Sequence, residues 1–145
     1  MGVDNAKDKD VIDAMKKGVG DTIGMIDEIC ERLKDCSNLL RIEQGKEVFN
    51  SLSQGIENIK SLLDLINELN IGIGYLSTSG YSISKEIFSN LDKTKGVFNE
   101  MLSAFEGKDW ITVADIMEYE INPILLEIKK GLDTLNDRLT QIGLH

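Results

Sequence analysis

The chain is poor in the residues that usually announce chemistry. Its 145 residues hold one proline, one tryptophan, one histidine and two cysteines. The histidine is the last residue, His145. A di-iron bundle needs paired Glu-x-x-His motifs on inner helix faces, and none is present. Zinc sites of the Cys/His type lack ligands, and Ser–His or Cys–His nucleophile pairs lack their base. No catalytic residue, no metal and no cofactor is therefore expected. Cys30 and Cys36 stand six apart, roughly 120° around one helix and about 9 Å along it, which rules out a bridge between them. Two lone thiols fit a reducing compartment. Basic residues are also scarce: 16 Lys and Arg against 25 Asp and Glu leave a net charge of −9. That argues against nucleic acid, which demands a basic footprint, and against an anionic membrane surface. A basic protein partner suits it better. No run approaches the roughly eighteen apolar residues of a membrane span. Met1 to Ala6 shows no secretory signal, and Ala6 stands where myristoylation after Gly2 wants Ser or Thr. The cytoplasm is the expected location.

What is present is helical periodicity. Ile12, Met15, Val19, Thr22, Ile26, Ile29, Leu33 and Cys36 alternate by threes and fours, a heptad seam. Ile42, Gly45, Phe49, Leu52, Ile56, Ile59, Leu63 and Ile66 repeat the pattern, with Val48, Leu62 and Leu69 widening it. Ile87, Leu91, Val97, Phe98, Met101, Leu102 and Phe105 supply a third stripe. A fourth contains Trp110, Ala114, Met117, Ile121, Leu125, Ile128, Leu132, Leu135 and Leu139. No segment has the period-two alternation of a strand. We read one all-α domain over 1–145, an antiparallel up-down-up-down four-helix bundle. Its helices are expected at about 10–36, 38–70, 83–106 and 110–141, with 1–9 frayed. Asp35–Asn38 reads as a polar break, with Ser37 or Asn38 capping the second helix. Residues 71–83, punctuated by Gly and Ser, read as a loop whose apolar members pack back onto the bundle. That loop lacks the lysine and the strand–turn–helix setting of a phosphate-binding loop.

The chain is organised around residues 107–123. Gly107 is expected to end the third helix in the left-handed region, and Asp109 to cap the fourth. Ile116, Tyr119, Pro123 and Leu126 project nearly opposite the inner stripe of that helix, and form the candidate contact surface. Pro123 cannot donate to the Tyr119 carbonyl, so a kink near Tyr119 or a restart at Pro123 is expected. Asp115 and Glu118, at i and i+3, are neighbours able to hold a cation. Glu120 shares its side with Val113, Met117 and Ile124, and is a candidate perturbed acid, half-buried by that reading.

The stretch Asp109-Trp110-Ile111-Thr112-Val113-Ala114-Asp115-Ile116-Met117-Glu118-Tyr119-Glu120-Ile121-Asn122-Pro123 resembles the D-W-x-x-x-A-D-x-x-E-Y-E-x-x-P segment of a family of small uncharacterised helical proteins of Gram-positive bacteria. The resemblance implies a bacterial cytoplasmic helical protein and no catalytic activity. The function expected is non-enzymatic protein–protein contact, as homo-oligomer, adaptor or holding chaperone. The alternative is a small-ligand or enzymatic site between the helices around Tyr119 and Glu120.

Overall fold

A computed structural model describes residues 6–42, 45–89 and 91–143; Gly2 and His145 lie outside them. The described residues form an all-α protein with no strand. Helix α1 runs Ala6–Ile42 and α2 runs Lys46–Thr78. A 3-10 turn, Lys85–Phe88, precedes α3, Leu91–Glu106. The fourth helix is composite: α4, Trp110–Ile116, passes through a π-turn, Met117–Ile121, into α5, Asn122–Gly143.

Every residue of the predicted α1 seam is buried, and the seam extends through Leu40. This explains two corrections. The helix starts at Ala6, ahead of the expected Asp10, and does not break at Asp35–Asn38. Leu33, Cys36, Ser37 and Leu40 all lie in the core. The Ser37 hydroxyl donates to the Lys34 carbonyl, 2.9 Å away, within the helix instead of capping a new one. Burying an aliphatic side chain is worth roughly 1.5–3 kcal/mol. The propensity cost of a polar residue in a helix is below about 0.7 kcal/mol, so packing wins. Ile42, assigned from sequence to the second stripe, ends α1 exposed. The cap of α2 is Gly45, in extended backbone.

The same logic removes the expected loop. The α2 stripe continues Leu62, Ile66, Leu69, Ile73, Leu76, all buried, so the helix runs through Ile71-Gly72-Ile73-Gly74 to Thr78. It ends in a Schellman turn: Gly80 adopts φ 101° and the Tyr81 N–H donates to Leu76 O at 3.0 Å. Tyr81 and Ile83 then pack into the core, as the apolar content of this stretch requires. The third helix is also shorter than expected. Ser84 caps only the 3-10 turn, accepting from the Glu86 N–H, and α3 starts at Leu91.

Helix α1 is central: α2, α4, the π-turn and α5 all pack on it. Its first turns meet the end of α2, where the Tyr75 hydroxyl donates to Asp8 Oδ1 at 2.8 Å. Its last third meets the start of α2, with Cys36 Sγ 3.2 Å from Ser51 Oγ. Cys36 is thus buried inside α1, about two turns before its end at Ile42. Helix α5 lies along α1 through the Lys129–Asp27 ion pair at 2.7 Å. The Asn122 amide also donates to the Cys30 carbonyl, at 3.4 Å. Cys30 is half-buried; burial and then Asp27 push its thiol up, while Lys129 pulls the other way. Gly55 of α2 faces Leu33 of α1, whereas Gly45 has open space around it.

Two glycines define a measurable contrast. A Cβ on Gly131 would stand 2.8 Å from the Ile87 carbonyl oxygen, a backbone atom that cannot swing aside. Gly20, inside α1 and exposed, has open space around it. Gly131→Ala is expected to destabilise by about 1–3 kcal/mol and Gly20→Ala to stabilise by about 0.5–1 kcal/mol, both read from urea unfolding. The turn after α3 supplies a second test. Its left-handed residue is Lys108, φ 58°, not Gly107, because the Schellman bonds run from Asp109 N–H to Ala104 O and from Lys108 N–H to Phe105 O. Lys108→Gly is expected to raise stability by about 1 kcal/mol, since the left-handed region burdens any residue with a Cβ.

Candidate functional site

The fourth helix begins where Trp110 wedges between aromatic rings. Phe49 at the start of α2 lies 4.6 Å away, centroid to centroid, and tilted. Phe105 at the end of α3 meets it edge-on at 5.6 Å. Asp109 caps the helix as expected. Its carboxylate accepts from the Thr112 hydroxyl at 2.7 Å and the Thr112 N–H at 3.3 Å. Those two bonds hold the Asp109 carboxyl below the ordinary carboxylate range, burial opposing them.

The backbone then departs from α geometry where Pro123 demands it. With no N–H at Pro123, the bond back to Tyr119 is not made. The five residues Met117–Ile121 adopt a π-turn, and the Asn122 N–H donates to Met117 O, so α5 starts with Pro123 in its first turn. π-turns inside helices recur at functional sites.

Around this turn the structure assembles a cluster that sequence spacing does not show. Arg41, in the last turn of α1, forks between two carboxylates, Nη2 to Asp115 Oδ1 at 2.8 Å and Nη1 to Glu118 Oε2 at 2.5 Å. Its guanidinium also lies 5.7 Å from the centre of the Tyr119 ring. The Asp115–Glu118 pair thus holds a cation, and that cation is Arg41. Both carboxylates raise the Arg41 pKa, by hydrogen bonding first and charge second. The cation also sits favourably at the C-terminal end of the α1 dipole.

The expected contact surface divides. Tyr119 is 68% exposed and Leu126 51%, and Pro123 is exposed between them. Ile116 is 6% exposed and belongs to the core. The reason is that α4 packs on both α1 and α3, which covers a wider sector than one inner stripe. Glu120 is exposed rather than half-buried. A π-turn advances each residue by less than an α turn, which carries Glu120 away from the Met117 side and into solvent. Beside Tyr119 a shallow groove opens between α3 and α5, with Lys93, Val97, Pro123 and Glu127 on its walls. Among the described residues no three of His, Cys, Asp or Glu gather to hold a metal, and no helix is long and apolar enough to cross a membrane. Sequence reasoning missed Arg41 because a break at Asp35–Asn38 placed it in the second helix. No spacing in the sequence marks Arg41, because its acceptors lie more than seventy positions away on another helix.

The Asp109 cap carries a pH signature. A carboxyl lowered in the folded state stabilises above its unfolded pKa, and that contribution is lost as pH falls through the folded value. Asp109→Asn keeps a good cap without the charge. It is expected to be less stable than the wild type at pH 7, with the gap closing below about pH 4. A gap that is the same at pH 7 and pH 3 would show that the charge contributes nothing.

No curated protein and no solved structure matches the chain. One family model does, over residues 18–131. That match covers α2, α3, α4 and the π-turn whole, with most of α1 and the first turns of α5. The chain belongs to the family described as Domain of unknown function (DUF8042).

Proposed function

We propose that the protein works by protein–protein contact, through the strip Tyr119, Pro123 and Leu126, and carries out no reaction of its own. The observation behind this reading is the state of Tyr119. It is exposed, yet its ring lies against a guanidinium that two carboxylates already hold. A large apolar ring fixed before binding loses little conformational entropy on contact, which is why Tyr and Arg recur at interface hot spots. Lys93, Glu120 and Glu127 give the strip a polar rim. The end-to-end meeting of α1 with α2, and of α1 with the fourth helix, supports the up-down-up-down antiparallel arrangement for the whole bundle. The acidic surface, the two thiols and the family resemblance support a cytoplasmic bacterial protein. The contact is with a second copy or with an adaptor partner.

Because Ile116 is core, the strip is tested with Tyr119→Asp combined with Leu126→Asp, both at exposed positions. Light scattering after gel filtration over a dilution series is expected to show a wild-type dimer that the double variant splits, with helicity unchanged by circular dichroism. A dimer that survives in the variant overturns the reading. A wild type that is monomeric throughout assigns the strip to an adaptor partner, and the variant then serves as the control in a pull-down.

A further inference from the structure

A second surface, on the opposite hairpin of the fold, is built for a different occupant. Near the start of α1 and the end of α2 an open apolar groove runs between the two helices, floored by Met15 and Leu69 and walled by Val11, Ala14, Leu65 and Ile71. Ile71 is 66% exposed. Gly18 and Gly72 deepen the trough: a Cβ at either would meet Leu69 or Met15. The lining spans Val11 to Thr22 on α1, roughly 16 Å, or about three helical turns.

The groove's two hydroxyls are already engaged. The Thr22 hydroxyl donates to Gly18 O at 2.6 Å, and the Tyr75 hydroxyl to Asp8. A small polar ligand would meet one carboxylate, Glu68, with no second polar group converging on it, and the open trough would leave it half in water. The shape suits a third helix laid along two, ridges into the groove. The charges select its sign. Glu68 lines the groove. Asp10, Asp21 and Asp64 are exposed, each one residue before a lining position and so about 100° round, on the shoulder. Against them stands Lys17, exposed on the same shoulder, while Lys7 lies over the Tyr75 ring, 5.4 Å from its centre. A second copy of this chain docked by the same groove would set these carboxylates against their own kind.

We infer that the α1–α2 groove is a docking site for an amphipathic helix of about three turns with basic flanks, supplied by another protein. The inference concerns a separate surface and stands whether or not the Tyr119 strip associates.

The test uses the full chain and two fluorescein-labelled helical peptides with the same leucine face, one flanked by lysine and arginine, the other by glutamate. Fluorescence anisotropy is expected to show binding of the basic peptide, weakening as salt rises, and at least tenfold weaker binding of the acidic one. Ala14→Arg combined with Ile71→Arg changes two solvent-facing positions and leaves the core intact. It is expected to weaken the basic peptide at least tenfold, whereas Tyr119→Asp with Leu126→Asp leaves that binding unchanged. Equal binding of both peptides, binding of neither, or binding indifferent to the groove variant overturns the inference. So does a wild-type dimer that the groove variant splits, because the occupant is then a second copy.

Discussion

Burial of one continuous apolar seam on α1 holds the molecule together. From Ile12 to Leu40 the seam is in the core, and α2, α4, the π-turn and α5 all lean on it. The seam outweighs local preference wherever the two disagree. Gly18, Gly20 and Gly24 each cost a helix up to about 1 kcal/mol against alanine, and Asp35–Asn38 offers capping residues, yet the helix passes through all of them. The cost per residue is smaller than the burial of the next Ile or Leu in the seam. Helix α2 crosses Ile71–Gly74 for the same reason, with Ile73 and Leu76 as the continuing stripe.

The Asp109–Pro123 stretch divides its labour along its length. Asp109 and Trp110 are structural, one closing a helix end and the other filling an aromatic corner between α2 and α3. Ala114, Ile116 and Met117 are core. Asp115, Glu118 and Tyr119 turn outward and converge on Arg41. Pro123 forces the change of winding over Met117–Ile121, which carries Glu118 and Tyr119. The motif thus locks the start of the fourth helix into the bundle, and spends its remaining side chains on an ordered surface.

The two apolar surfaces differ in character. The Tyr119 strip is narrow, aromatic and ringed by both signs of charge. The α1–α2 groove is longer, aliphatic and shouldered mainly by carboxylates. Their chemistry differs, and they lie on different helices, so a variant of one leaves the other intact.

Periodicity determined the all-helical class, the α1 seam from Ile12 to Cys36 and the inner stripe of the fourth helix from Ala114 to Leu139, while residue type gave the Asp109 cap and a kink or restart between Tyr119 and Pro123. These depend on the 3.6-residue repeat and on the missing proline N–H, which are local properties. Only the tertiary structure decided where helices end, because burial against a distant helix overrides local breakers. It also decided that Ile116 is core, since α4 has neighbours on two sides, and that Glu120 is solvated, since a π-turn shifts its angle. The left-handed residue after α3 proved to be Lys108 instead of Gly107, because the hydrogen bonds of the turn set that position. The partnership of Arg41 with Asp115 and Glu118 joins residues more than seventy positions apart, and no spacing rule reaches across such a loop.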